Sequence, residues 1–137
     1  MPTLYVVQSK SLQKWGWDVG LSKHLYKIGL TNEDAASITG DLSNNQYAGC
    51  SDWKLLAHET SDDVEEVELY QRVGRKETVV DPTYYPRIKN ASGIFKVKVE
   101  NVEHALLVEK AMANQQLTAV KVTAKTVAAY LIRMALG

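Results

Sequence analysis

Short runs of β-branched and aromatic residues recur along the chain and predict four β-strands. They fall at residues 4–7, 25–30, 53–58 and 93–99. In the last of these, apolar residues alternate with lysines, so we expect a half-buried strand with Lys96 and Lys98 outward. Residues 8–24 are too many for a tight hairpin and are predicted to pack on the sheet as an ordered segment.

Apolar positions spaced three or four residues apart predict three longer helices. The first follows an acidic segment that suits a helix N-terminus. A shorter helix is expected to end before Gly40. The helices are predicted at residues 33–38, 62–76, 102–112 and 123–136, a loop at 41–52, a turn at 81–86, and a possible short extended piece at 119–122.

This order of elements predicts an α+β domain with a small, mostly antiparallel or mixed β-sheet flanked by helices. Residues 1–99 form the predicted core, and residues 100–137 form a C-terminal helical extension packed on the same domain. The chain has 137 residues, which fits a single domain.

Composition excludes several classes of function. The 16 basic and 16 acidic residues give a net charge of zero, so a basic field over the whole surface is excluded. Cys50 is the only cysteine, which excludes an internal disulfide and a zinc site built from cysteines. The sequence shows neither a secretory signal nor a membrane span, so we expect a cytoplasmic protein with no membrane partner.

Charge is nevertheless segregated along the chain. Residues 1–31 carry four lysines against one aspartate, residues 32–71 carry ten acids against one lysine, and residues 72–98 carry seven bases against two acids. If the two basic blocks meet in the fold, they form a face that suits a phosphate backbone, whereas the alternative is that basic and acidic blocks pair. The candidate nucleic-acid-binding residues are Lys10, Lys14, Lys23, Arg72, Arg75, Lys96 and Lys98.

Two motifs in the predicted strands resemble those of the GIY-YIG nuclease superfamily. Residues 4–7 read Leu-Tyr-Val-Val, and residues 26–31 read Tyr-Lys-Ile-Gly-Leu-Thr, with Gly29 and Thr31 as motif positions. The second motif is similar to the Lys-Ile-Gly-x-Thr of a small phage and bacterial branch. The helix after the third strand offers Glu66, and the likeness covers about residues 3–99.

The resemblance implies a role for each matching residue. Tyr5 and Tyr26 would position or deprotonate the nucleophile, and Glu66 would hold a divalent ion, Mg²⁺ or Mn²⁺. Lys27 would supply a charge near the scissile phosphate. The family arginine, however, falls at Ser37, and no arginine precedes Arg72, so the bidentate phosphate clamp is missing.

Three functions follow as expectations. The first is a GIY-YIG-like domain that acts on or binds nucleic acid, DNA rather than RNA, and is catalytically degenerate because the arginine is absent. The alternatives are an active metal-dependent endonuclease and a protein–protein interaction module without nucleic acid. Trp15 and Trp17 could stack on bases or pack on the sheet.

Overall fold

The computed structural model describes residues 3–20, 24–32, 34–45, 47–60, 65–80, 93–113 and 122–136. The strands in these ranges are β1 (Thr3–Ser9), β2 (Leu25–Thr31), β3 (Trp53–Thr60), β4 (Thr78–Val79) and β5 (Ile94–Lys96). They form one antiparallel sheet in the order β3-β1-β2-β5-β4. The helices are α1 (Lys10–Asp18), α2 (Ala35–Asn44), α3 (Glu66–Val73), α4 (Val99–Met112) and α5 (Ala124–Leu136), with a 3-10 turn at Tyr47–Gly49. The predicted α+β class is confirmed.

Each face of the sheet carries its own hydrophobic core, because neighbouring residues of a strand point to opposite sides. Leu4 and Val6 of β1 lie in the core that is shared with α3 and α5. Tyr5 and Val7 lie in the other core, which contains Leu12 of α1 and residues of α2 and the 3-10 turn. The sheet is therefore the middle layer of three.

Helix α1 occupies the segment that was predicted only as an ordered excursion. The Ser9 side chain caps it by accepting a hydrogen bond of 3.1 Å from the Leu12 amide. Leu12 and Gly16 are the buried positions of the helix, and Trp15 packs against the same core. Leu12 and Gly16 are four residues apart, so they share one face of α1. That face packs against the sheet.

Several predicted boundaries are wrong. Helix α2 continues through Gly40 to Asn44, so it tolerates the cost of about 1 kcal/mol that glycine adds within a helix. The last predicted strand ends at Lys96, and α4 begins at Val99. Strand β4 was not predicted. The turn at 81–86 and most of the extended piece at 119–122 lie outside the described residues.

Buried Glu77 explains where α4 begins. Its carboxylate accepts hydrogen bonds from the Lys98 amide at 3.2 Å and from the Asn101 side chain at 2.9 Å. Amides at a helix N-terminus have no partner within the helix, so a carboxylate brought from another segment stabilises that end. The helix has no side-chain cap at Lys98 itself.

Strand β3 contains an irregularity next to β1. Val6 pairs with Ala57 and Val7 pairs with Leu55, so Leu56 is the extra residue of a β-bulge. The bulge changes the alternation along β3. Leu55 consequently packs with the core of Tyr5, whereas Leu56 and Ala57 pack with the core of Leu4.

The C-terminal helix α5 supplies a large part of one core. Its buried residues contact β1, β3 and α3. They are Val127, Ala128, Tyr130, Leu131, Ile132 and Ala135. Helix α5 is thus packed on the same domain as residues 3–99.

Replacing Tyr130 by Phe is expected to raise the free energy of unfolding by about 1 kcal/mol at pH 8. The Tyr130 hydroxyl is buried, and no group in the described ranges forms a hydrogen bond with it. Burial, and then the charge of Glu77, raises the pKa of Tyr130 to about 12 from its usual 10. Because Tyr130 ionises first in the unfolded chain, its contribution to native stability is lost as the pH rises from 10 towards 12, and the Phe variant lacks this part of the loss.

Urea unfolding at pH 8 and pH 11 measures this effect, and the advantage of Tyr130→Phe should be larger at pH 11. Tyr70→Phe is the matched control, since the Tyr70 hydroxyl donates a hydrogen bond to Glu66 and its loss should lower stability. Equal stability of Tyr130→Phe and the wild type at both pH values would contradict the prediction.

Candidate functional site

Tyr5 and Gly29 face each other across β1 and β2, and the tyrosine ring lies over the glycine. A Cβ atom at position 29 would be 2.6 Å from the Tyr5 hydroxyl oxygen. Only glycine therefore allows the ring to lie across β2 in this way. Lys27 lies two residues earlier in β2, on the same face of the sheet as Gly29.

The Lys27 ammonium is buried between two tyrosine rings. Its Nζ lies 4.7 Å from the centre of the Tyr47 ring and 5.7 Å from the centre of the Tyr5 ring. These are cation–π distances. Burial lowers the pKa of Lys27, whereas a hydrogen bond to the Tyr47 side chain and the charge of Glu66 favour the ammonium form.

Glu66, the first residue of α3, reaches the open end of β2. Its carboxylate accepts hydrogen bonds from the Tyr70 hydroxyl at 2.5 Å and from the Leu30 amide at 3.5 Å. Strand β5 pairs with residues 25–27 of β2, so Leu30, which pairs with Leu4 of β1, lies beyond the part of β2 that β5 covers. The carboxylate provides an acceptor for that amide.

We refer to Tyr5, Lys27, Tyr47, Glu66 and Tyr70 as the Lys27 cluster. Burial, followed by the charge of Glu66, raises the pKa of Tyr5 well above its usual value. Tyr5 is therefore protonated at neutral pH and acts as a hydroxyl group, not as a base. The cluster can hold a polar or anionic group, but Tyr5 is not an activated base within it.

The cluster fits a divalent ion only weakly. Among the described residues, no three His, Cys, Asp or Glu side chains are grouped so that they could hold a metal. Glu66 is a single carboxylate, and both of its oxygens already accept hydrogen bonds. Magnesium is often held by one carboxylate together with substrate phosphates, so Glu66 could contribute to such a site only with substrate present.

The structure corrects the predicted role of Tyr26. Tyr26 and Lys27 are neighbours in β2, so their side chains point to opposite faces of the sheet. Tyr26 is buried in the core beneath α3 and α5, with Ile28 and Phe95, whereas the side chains of Tyr5 and Lys27 lie on the other face of the sheet. Tyr26 is therefore a core residue and not a partner of Tyr5. Thr31 ends β2 opposite Thr3.

The predicted basic residues divide into two groups. Lys10 and Lys14 are exposed on α1, while Lys96 and Lys98 lie where β5 leads into α4. Arg72 and Arg75 belong to the α3 side of the sheet, where Arg72 donates a hydrogen bond of 2.9 Å to the Ala135 carbonyl oxygen. The predicted basic residues therefore do not all share one face of the protein. Lys23 lies outside the described residues.

A pocket joins α1 to the start of α4. It has a volume of about 480 Å³ and includes Trp17, His24, Lys96, Lys98 and Glu100 in its walls. We refer to it as the Trp17 pocket. It brings a helix from the first basic block of the sequence next to two lysines from the second.

Sequence reasoning missed Tyr47 and Tyr70 as members of the site. Tyr47 lies in the 3-10 turn, in a segment rich in Asn, Ser and Gly that was predicted as a loop. Tyr70 was not among the predicted site residues, but the spacing Glu66 to Tyr70 is one helical turn and could have indicated the hydrogen bond.

No protein-family model, curated protein or solved structure matches this chain. Within the described ranges, none of the helices has the length and apolar character needed to cross a membrane.

Proposed function

We propose that the chain is a cytoplasmic nucleic-acid-binding domain of GIY-YIG type that binds DNA without cleaving it. The meeting of α1 with the β5–α4 junction is the observation that carries this proposal. It places Lys96 and Lys98 beside the helix that bears Lys10 and Lys14, so bases from two distant blocks of sequence share one region. Such a region suits a phosphate backbone.

The motif residues support the same family. Strands β1 and β2 pair, the short helix α2 follows, and the helix after β3 carries Glu66. The charge of Glu66 acts on both Tyr5 and Lys27, which come from the two motifs. Three residues that the resemblance selected are thus in one cluster.

The state of the cluster argues against cleavage. Tyr5 is protonated, Lys27 is covered by aromatic rings, and both Glu66 oxygens accept hydrogen bonds. Ser37, at the position of the family arginine, is exposed, and its hydroxyl donates a hydrogen bond to the Asp34 carbonyl oxygen. A planar guanidinium that could clamp a phosphate is absent from that place.

The Lys14→Gln/Lys96→Gln variant tests DNA binding. We expect wild-type protein to bind labelled DNA with an affinity that falls steeply with salt concentration. Removing two phosphate contacts should weaken binding about tenfold near physiological salt and lower the slope of log affinity against log salt by roughly 1.4 to 1.8. Fluorescence anisotropy over a salt series measures both quantities, with RNA as a second ligand.

The matched control is Arg75→Gln/Lys125→Gln, which removes the same charge from exposed positions in the turn after α3 and on α5. It should bind as the wild type does. An equal loss of DNA affinity in both variants would show that binding depends on net charge and not on Lys14 and Lys96. Folded wild type that binds no nucleic acid at low salt would overturn the proposal in favour of a protein partner.

An active endonuclease is the second candidate, because Tyr5, Lys27 and Glu66 share one cluster. In that case Glu66 and substrate oxygens would hold Mg²⁺ or Mn²⁺, and the ion would neutralise charge that develops on the phosphate. Cleavage of labelled single- and double-stranded DNA with either ion, lost in both Glu66→Gln and Tyr5→Phe, would establish it. Intact DNA in the presence of folded wild-type protein would support binding alone.

A further inference from the structure

Trp17 is an exposed tryptophan on the last turn of α1. Its side chain is 69% exposed, whereas Trp53 is buried and Trp15 packs against the core next to α1. Of the two alternatives for Trp17, packing on the sheet is therefore excluded. A large aromatic ring presented to solvent beside a cavity is an available surface for stacking.

The position of Trp17 on α1 connects it to the lysines of that helix. Lys10, Lys14 and Trp17 are spaced by four and three residues, so they lie along one side of the helix. The walls of the pocket also contain Lys96, Lys98, His24 and Glu100. Trp17 thus shares the pocket with two lysines from the β5–α4 junction.

These walls favour an aromatic anion over other ligands. The ring offers a stacking surface and the two lysines offer positive charge, so an apolar ligand would not use the lysines and a simple anion would not use the ring. The volume of about 480 Å³ lies in the usual range for small-molecule sites. A nucleobase that carries its phosphate satisfies both the ring and the lysines, as in proteins that bind single strands by stacking.

We infer that the Trp17 pocket binds one unpaired nucleotide of a single strand, with its base stacked on Trp17 and its phosphate beside Lys96 and Lys98. This inference rests on the proposed nucleic-acid binding and adds a preference for single strands. In a duplex each base is already stacked and its face is not available to the ring. Lys96 pairs with Leu25, two residues before Lys27, so the pocket and the Lys27 cluster lie on the same side of the sheet.

The test compares Trp17→Ala and Trp17→Phe with the wild type, using labelled oligo-dT, the corresponding duplex and free dTMP. Trp17→Ala should weaken oligo-dT binding about tenfold and duplex binding less than twofold. Trp17→Phe keeps an aromatic ring and should retain most of the affinity. Met112→Ala, which removes another highly exposed apolar side chain, from α4, should bind as the wild type does.

Intrinsic fluorescence gives a second readout. Oligo-dT should quench the exposed Trp17, and Trp17→Phe should lose most of that quenching while still binding in the anisotropy assay. Heparin, a polyanion without bases, should bind with little quenching. Quenching by dTMP as strong as by oligo-dT at equal occupancy, with no gain in affinity from the strand, would assign the pocket to free nucleotides and overturn the strand proposal.

The binding measurements distinguish failure of the single-strand inference from failure of the proposed DNA binding. If wild type binds DNA and Trp17→Ala binds oligo-dT equally well, the pocket does not stack a base, although the domain binds nucleic acid. If folded wild type binds neither oligo-dT nor duplex at low salt, both proposals fall. Equal weakening of single-strand and duplex binding by Trp17→Ala would also overturn the single-strand preference.

Discussion

A Gly93→Ala variant is expected to lose about 3 to 5 kcal/mol of unfolding free energy, the largest single effect on stability that we predict. Gly93 has a φ angle of +76°, which costs a residue with a side chain about 1 to 2 kcal/mol. A Cβ atom there would also be 2.3 Å from the Ile28 carbonyl oxygen and 2.7 Å from the Tyr70 hydroxyl. The backbone oxygen cannot move without disturbing the hydrogen bond from the Ile28 amide to the Gly93 carbonyl.

Gly20→Ala separates the conformational cost of a positive φ angle from the cost of the close contacts. Gly20 has a φ angle of +81°, but a Cβ atom there would meet nothing within 4 Å. This control should lose only the conformational cost, about 1 to 2 kcal/mol. Urea unfolding measures both variants, and the Tyr130→Phe background allows the measurement if Gly93→Ala alone does not fold. Equal losses at positions 93 and 20 would show that the close contact is unimportant.

A Gly29→Ala variant is expected to lose about 1 to 3 kcal/mol and to displace Tyr5 from the Lys27 cluster. The new Cβ atom would lie 2.6 Å from the Tyr5 hydroxyl oxygen and 2.8 Å from its Cζ atom. The ring must swing away, because Gly29 is held by pairing with β1 and the preceding residues 25–27 are held by pairing with β5. The ring of Tyr5 would then no longer cover the Lys27 ammonium.

A double-mutant cycle tests this explanation. Tyr5→Leu removes every atom that the alanine would contact, so the Gly29→Ala/Tyr5→Leu variant should lose less than the sum of the two single variants. A coupling of at least 1 kcal/mol is expected. Gly40→Ala is the matched control, since it adds a methyl group in open space within α2 and should be neutral or stabilising. Additive losses at positions 29 and 5 would refute the proposed contact.

Much of the fold could be predicted from periodicity. Strands β1, β2 and β3 and helices α3, α4 and α5 occur where apolar spacing placed them, although their ends differ. Helix α1 was missed because Trp15, Gly16 and Trp17 obscure its short apolar stripe. Strand β4 has only two residues, and so short a segment has no period to detect.

The site could be predicted only in part. The motif selected Tyr5, Lys27 and Glu66, but it also selected Tyr26. Because side chains alternate along β2, Tyr26 lies on the face opposite to Lys27. Once the register pairs Tyr5 with Gly29, Lys27 and not Tyr26 must lie beside the ring. The segment between the two strands is too long for its length to predict this register. The position of Tyr47 depends on tertiary packing, which no local pattern encodes.

The bulge in β3 bears on self-association. Strand β3 is at one end of the sheet order, and in the described part of the chain its outer edge has no strand partner. A straight edge of eight residues would be a template for another chain, but the extra residue Leu56 bends it. Lys54 and the exposed residues His58, Glu59 and Thr60 place polar groups along the same strand. The irregularity that shifts the pairing with β1 thus also disfavours edge-to-edge aggregation.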